Sequence, residues 1–358
     1  MKRTSIQLVL FLFLCPLILF SQPKNVILMI GDGMGLAQAY AAYTVNKGQL
    51  NMFTMPVTGF SKTYCADRYV TDSGAGGTAL AIGQKANYES IGLDSLSIPH
   101  PSLIKLAKRK GLSTAIITTC DLTHATPASF VANVKNRNMN EEIALAYLKG
   151  DVDIFIGGGL KNFDAKKRKD KLSLTDSLKA KGYRLIYSLD EINSLSKNKT
   201  KKNNLIAGLL YDEHPPLANK RDDMLCKSLT NSLSLLSTNK KGFFMMLEGS
   251  QIDFEAHLNK LDDMVGEVLD FDKAVGLAIE FAKKDGNTLV IVIADHETGG
   301  LTLTEGNIKE GTVKDKWTTL HHTGVMVPIY AFGVGAENFS GVMENTDVFK
   351  KISSLLNL

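Results

Sequence analysis

Cysteine is scarce, with four in 358 residues, and no two share the C-x-x-C spacing of a zinc clip. Cys15 falls in an N-terminal apolar run, which leaves Cys65, Cys120 and Cys226. Three are too few for a disulfide framework, and both one disulfide and three inert thiols stay open. An excess of one charge is also missing: 41 Lys and Arg face 37 Asp and Glu, a formal net charge of +4. That balance gives no reason to expect a nucleic-acid partner. No apolar run after the first 21 residues approaches the length of a membrane span. Gly31-Asp32-Gly33-Met34-Gly35 lacks the third glycine of a dinucleotide loop at its required offset, and no acidic residue stands at the proper distance downstream. An Asp inside such a loop repels a pyrophosphate and suits a metal.

The one long apolar run, about Ile6 to Phe20, follows Lys2 and Arg3 and precedes Ser21, a small residue fit for cleavage. Leu14 before Cys15 is not the small residue of a lipoprotein signal. The expectation is a signal peptide over 1–21 and an exported protein, periplasmic or secreted, without a stable membrane anchor. From there the chain alternates. Asn25 to Ile30, Leu112 to Thr119, Val152 to Ile156, Phe243 to Leu247, Leu289 to Ala294 and Val327 to Phe332 are short apolar runs. Segments with helical spacing lie between many of them, such as Leu103 to Lys110, Met224 to Leu236 and Val265 to Lys284. This predicts an α/β fold with a large, mostly parallel central sheet and helices on both faces. Residues about 161–221 carry Lys166, Lys167, Arg168 and Lys169, then Lys197, Lys199, Lys201 and Lys202, and read as a solvated surface insertion. With no clear linker, 22–358 is expected to be a single catalytic domain.

Chemistry gathers after the strands. Asp32, Glu248 and Asp295-His296 each follow an apolar run, and in doubly wound sheets the ligand site lies beyond the carboxyl ends of the strands. Asp253 and His257, four apart, share one face of a helix and suit zinc, although a surface pair has the same spacing. Asp295 and His296 can act together only if the strand has ended before them. At least one of His321 and His322 can complete a site. His124 sits in T-H-A-T-P after a strand, while His100 and His214 in proline-rich loops read as structural. Val70 to Ile82 (V-T-D-S-G-A-G-G-T-A-L-A-I) places Ser73 at the start of a helix, where free N–H groups favour an anion. Taken alone, a helix cap is the better reading of Ser73.

Six motifs in order decide among these readings. They are G-D-G-M-G, T-D-S-G-A-G-G-T-A, T-H-A-T-P-A-S-F followed by N-R, E-G-S-Q-I-D-F-E-A-H, A-D-H-E-T-G-G, and H-T-G before V-P-I-Y-A-F-G. From about Lys24 to Gly335 the chain resembles the alkaline phosphatase family in its compact bacterial form. The resemblance implies hydrolysis of phosphate monoesters through a phosphoserine at Ser73. It implies one Zn2+ held by Asp253, His257 and His322, and a second by Asp32, Asp295 and His296 with Ser73 approaching it. A Mg2+ would take Asp32, Thr126 and Glu248, Arg137 would clamp phosphate, Asp72 would stand behind it, and two copies would form a homodimer. The residue types suit these tasks: metal coordination lowers a serine pKa, paired zinc ions stabilise attacking and leaving oxygens, and a guanidinium binds two phosphate oxygens at once.

Two positions depart from a familiar pattern. His124 stands where some members have aspartate, which disfavours magnesium at the third site. Phe254 stands where some have lysine or histidine, so weaker phosphate binding and faster product release are expected. A sulfatase is excluded because Ser73-Gly74-Ala75 lacks the C/S-x-P-x-R signature. A phosphodiesterase usually carries a threonine nucleophile and has no need of the third site. A non-catalytic zinc or phosphate carrier leaves Ser73 with Arg137 unexplained.

Overall fold

A computed structural model describes residues 22–195 and 204–358. The expected signal peptide and Lys197, Lys199, Lys201 and Lys202 lie outside the described residues. The ten strands of the central sheet are, in chain order, β1 (Asn25–Gly31), β2 (Val57–Lys62), β3 (Ser113–Asp121), β4 (Ile154–Gly158), β5 (Arg184–Ile186), β6 (Ile206–Leu209), β7 (Phe243–Gly249), β8 (Thr288–Ile293) and, after two short pairs, β13 (Val327–Gly333) and β14 (Gly341–Glu344). The short pairs are β9 (Glu297–Thr298) with β12 (His322–Thr323), and β10 (Thr302–Asn307) with β11 (Thr312–Lys316).

The sheet runs β14-β2-β13-β8-β1-β7-β3-β4-β6-β5, and only β13 is antiparallel to its neighbours. The mostly parallel sheet expected from the apolar runs is present. Its centre explains why those runs are continuous and not alternating: every residue of β1, β7 and β8 is buried, because helices cover both faces. Register levels the strand ends. Ile30 lies opposite Glu248 on one side and Ile293 on the other, so Asp32 and Asp295 leave the sheet at one level and Glu248, still within β7, sits two residues below them.

The helices expected at Leu103–Lys110 and Met224–Leu236 form with those limits, and the third extends to Leu261–Asp285. Ser102 caps the first by accepting the Lys105 N–H, and Gly111 ends it in the left-handed region.

The lysine-rich segment is not merely a surface insertion. It supplies β5 and β6 to one edge of the sheet, and buried Leu174, Leu178 and Ile186 anchor it to the main core. Lys166, Lys167 and Lys169 are exposed as expected, but Arg168 between them is fully buried. Its guanidinium donates to the carbonyls of Asn162 (2.7 Å) and Glu141 (3.2 Å) and pairs with Asp170. Charge density along a sequence does not reveal that one cation in four turns inward.

Candidate active site at the carboxyl edge of the sheet

Ser73 opens the helix Ser73–Ile82 but does not cap it. Asp72 is the cap, accepting the N–H groups of Gly74 (3.0 Å) and Ala75 (3.1 Å). The capping task falls one residue earlier than Ser73, which leaves the serine hydroxyl free. Ser73 Oγ lies 3.2 Å from His296 Nε2 and 3.4 Å from Asp32 Oδ1, fully buried. Gly76 lets this helix sit against the strand end, since a Cβ there would meet the Asp295 carbonyl at 3.1 Å.

Hydrogen bonds fix the imidazole tautomers. The Thr298 hydroxyl donates to Asp253 Oδ1, so it accepts from His296 Nδ1 at 3.2 Å. His296 Nε2 therefore turns a lone pair toward Ser73, Asp32 Oδ1 (3.4 Å) and Asp295 Oδ2 (3.3 Å). Burial holds this imidazole well below the usual histidine range, hence neutral. Strand β8 ends at Ile293, which satisfies the condition for Asp295 and His296 to act together.

A second cluster lies alongside. His257 Nδ1 donates to the Leu320 carbonyl (2.6 Å) and His322 Nδ1 to the Thr71 carbonyl (2.8 Å), so both Nε2 atoms face inward. They stand 3.0 Å apart, and 3.4 and 3.5 Å from Asp253 Oδ1. Two lone pairs at that separation repel unless a proton or a metal lies between them. The β9–β12 pairing places His322 opposite Thr298, although 65 residues separate it from His257.

Deeper still, Thr126 Oγ1 donates to Asp32 Oδ2 at 3.2 Å, and Glu248, level with Ile30, lies two residues below Asp32. Thr118 donates to Glu248 Oε2 at 2.5 Å, while Glu248 Oε1 and Asp295 Oδ2 are buried with no hydrogen-bond partner. The carboxylates crowd one another. Burial, then Asp295 and Asp253, push Asp32 up; burial, then Asp253, push Asp295 up to about 7; burial raises Glu248. Asp253 goes the other way: burial opposes its charge, but the bonds from His257 and His322 prevail and hold it well below the usual range. Buried carboxylates in this number, two with orphaned oxygens, call for cations. Three groups of donors have metal-ligand proximity: Asp253 with His257 and His322; Asp32 with Asp253 and His296; and Cys120 with His124 and Glu248. The structure thus fits metal ions at these positions. Gly33 serves the same end, because its backbone (φ +68°) passes so close that a Cβ would meet Thr298 Oγ1 at 2.7 Å.

Above the clusters lies a cavity of about 500 Å³ that Ser73, Arg137, His257 and His322 share. Arg137 Nη1 donates to Asp72 Oδ2 (2.9 Å) and Nη2 to His124 Nε2 (3.1 Å), which fixes its plane over Ser73's end of the cavity. Asp72 thereby orients both the helix start and the guanidinium. His124 is half-buried, and desolvation and then the Arg137 cation push it down to about 3, so it is neutral. Phe254 packs edge-on against the rings of His124 (5.3 Å) and His214 (5.0 Å).

His100 pairs with Asp94 at 2.8 Å, and His214 Nδ1 accepts the Asp121 N–H at 3.0 Å; both are structural, as expected. Of the two adjacent histidines, His322 completes the cluster, while His321 lines the cavity. Sequence reading passed over Thr298, Cys120, Arg68 and Tyr88. Thr298 stood inside A-D-H-E-T-G-G and was the one of these with a visible signal. Cys65, Cys120 and Cys226 are all free thiols.

A buried serine hydroxyl free of capping, beside metal-suited clusters at the carboxyl edge of a parallel sheet, is an arrangement that suits a metal-dependent phosphoester hydrolase. Known proteins agree. A family model described as alkaline phosphatase matches residues 23–314 and 306–358. Alkaline phosphatase 4 of Bacillus subtilis (strain 168) is 34% identical over 93% of this chain and 88% of its own. The alkaline phosphatase of Escherichia coli (strain K12) is 32% identical over 94% and 86%. The structure of alkaline phosphatase from the Antarctic bacterium TAB5 superposes with a TM-score of 0.88 at 37% identity, covering 94% of this chain and 99% of that one. A histidine-to-aspartate mutant of that enzyme has Mg bound in its M3 site, with a TM-score of 0.87 and 36% identity. The chain belongs to the alkaline phosphatase family. It is a metal-binding hydrolase of phosphate monoesters.

Proposed function

We propose that hydrolysis proceeds through a phosphoserine at Ser73, with two Zn2+ and one Mg2+ in the clusters beneath it. The observation that carries the reading is the freedom of Ser73 Oγ, 3.2 Å from His296 Nε2 and released from capping by Asp72. Asp253, His257 and His322 would hold one zinc; Asp32, Asp295 and His296 the other; Asp32, Thr126 and Glu248 the magnesium. Asp253 also lies near the second group, and His124 near Glu248, so these sets share walls. Bound there, the ions supply Lewis-acid charge and lower the pKa of a hydroxyl or of water.

The chain's own groups do the rest. Arg137 keeps N–H donors beyond those given to Asp72 and His124, and these bind the non-bridging phosphate oxygens. Ser73 Oγ forms its bond to phosphorus as the ester P–O bond breaks and the alcohol departs. Water then cleaves the phosphoserine bond and returns Ser73 with inorganic phosphate. Phe254 presents no charge to the phosphate, which favours product release. His124, neutral beside Glu248, makes the third site less suited to magnesium than an aspartate does. The same reading makes the protein exported by a signal peptide at 1–21, a homodimer, and one catalytic domain over 22–358. No helix among the described residues is long and apolar enough to cross a membrane.

The test is release of phosphate from a chromogenic aryl monoester and its matching diester at alkaline pH, with acid-quench labelling of the protein. The protein is assayed as purified, after chelation, and after zinc and magnesium are restored. The expected result is metal-dependent monoester turnover and a labelled serine, both lost in Ser73→Ala. Label absent from a turning-over enzyme, or preference for the diester, overturns the reading.

A further inference from the structure

The rim of the cavity carries a second guanidinium that the phosphoserine reading leaves without a task. Arg68, five residues before Ser73, lines the same cavity as Ser73 and Arg137 and is exposed. Its guanidinium carbon stands 3.9 Å from the centroid of the Tyr88 ring, a face-on stack. Tyr88 is itself held, because its backbone N–H donates to Asp67 at 2.8 Å. Asp67 is the nearest carboxylate in sequence, yet it is engaged with Tyr88 and with the Cys65 thiol. Among the described residues no carboxylate forms an ion pair with Arg68, and its side chain makes no hydrogen bond. Arg137 differs on each count: it is half-buried, paired with Asp72 and bonded to His124.

A lone exposed arginine needs no explanation, but this one is fixed in plane by a ring at the edge of a cavity of about 500 Å³ that it shares with Ser73 and Arg137. Its fork of donors matches a carboxylate or a phosphate and is unspent. The phosphoryl group belongs to Ser73 and Arg137 at the cavity floor, so an anion reaching Arg68 must come from the other end of the substrate. Tyr88, Phe254 and His321 give that path flat walls. We propose that Arg68 selects phosphate monoesters whose alcohol portion carries a second anionic group, a carboxylate or a further phosphate. This selection rests on the monoester reading of the site.

The test uses the metal-loaded protein with phenyl phosphate, 4-carboxyphenyl phosphate and 1,4-phenylene bisphosphate. Each kcat/KM is expressed relative to phenyl phosphate and compared between the native protein and Arg68→Gln, which cancels leaving-group electronics. In Arg68→Gln the relative value for one or both charged substrates is expected to fall about three- to fivefold, the scale of one exposed charge pair. Arg68→Lys should restore part of it, and 1 M salt should erase the native preference. The charged substrate with the larger fall identifies the preferred anion. An unchanged ratio in Arg68→Gln, with phenyl phosphate still turned over, overturns the selection alone. Turnover of none of the three by the native protein overturns the monoester reading as well.

Discussion

The outer and inner clusters of the site solve different problems. The outer one, Asp253 with His257 and His322, meets solvent: the His257 side chain is 34% exposed. Its imidazoles are orientated from outside by backbone carbonyls of distant loops, Leu320 and Thr71. The inner one, Asp32 with Glu248 and Thr126, is wholly buried and built from side chains at the sheet's own edge. Imidazoles are neutral when unprotonated and tolerate an empty site. Buried carboxylates do not. The inner group is thus a standing charge that the fold must offset, while the outer group offsets its one buried carboxylate, Asp253, with the two imidazoles bonded to it.

The contrast is broken most strongly by metal removal across pH. Without metals, Asp295 is pushed up to about 7 by burial and Asp253, Asp32 is raised likewise, and His257 is raised by its bond to Asp253. Raised folded values mean the native state binds more protons, so this stability is present at low pH and lost as pH rises. Below the ordinary histidine value of 6.5 the depressed His124 and His296 act in the opposite sense, so the net loss falls above 6.5, where Asp295, Asp32 and His257 give up their protons. The chelated protein should lose roughly 1 to 2 kcal/mol between about pH 6.5 and 8, about 2 to 4 °C in Tm, while the metal-loaded protein changes less. Thermal melts at stepped pH, with and without chelator, check this; parallel curves would refute it.

Next in size is Thr298→Val. It removes the hydroxyl that joins Asp253 to His296 and fixes the His296 tautomer. Metal affinity should fall about 10- to 100-fold, as for other groups that orient ligands. Competition with a chromophoric chelator reads it, and an unchanged affinity denies Thr298 that role. Smallest is Glu248→Gln, which takes one negative charge from the inner group. In chelated protein it should raise stability by about 1 kcal/mol, since burial disfavours that charge. In loaded protein the sign should reverse. The same sign in both states would mean that Glu248 does not serve a cation.

Much of this was legible beforehand, and for physical reasons. Strands buried on both faces must be continuous apolar runs, so β1, β7 and β8 announced themselves, and with them Asp32, Glu248 and Asp295 at their ends. Asp253 and His257 lie one turn apart on a single helix, a local pattern. His322 was legible only as one of a pair, because the β9–β12 pairing that selects it is non-local. Arg168 was misread because burial of one cation depends on carbonyls at Glu141 and Asn162, which no window around it contains. Arg68 stayed silent because its partner, Tyr88, is twenty residues away and offers a ring face, not a charge.

His322 rides on a strand of two residues, paired only to Thr298 and Glu297, at the end of an excursion that includes the exposed hairpin β10–β11. So short a ladder opens at far lower free energy than the ten-stranded sheet. When it opens, an imidazole leaves with the backbone. On the proposed reading, opening of this segment would withdraw one donor of the outer cluster, so the residence time of a metal held there would report on the motion of residues 299–322.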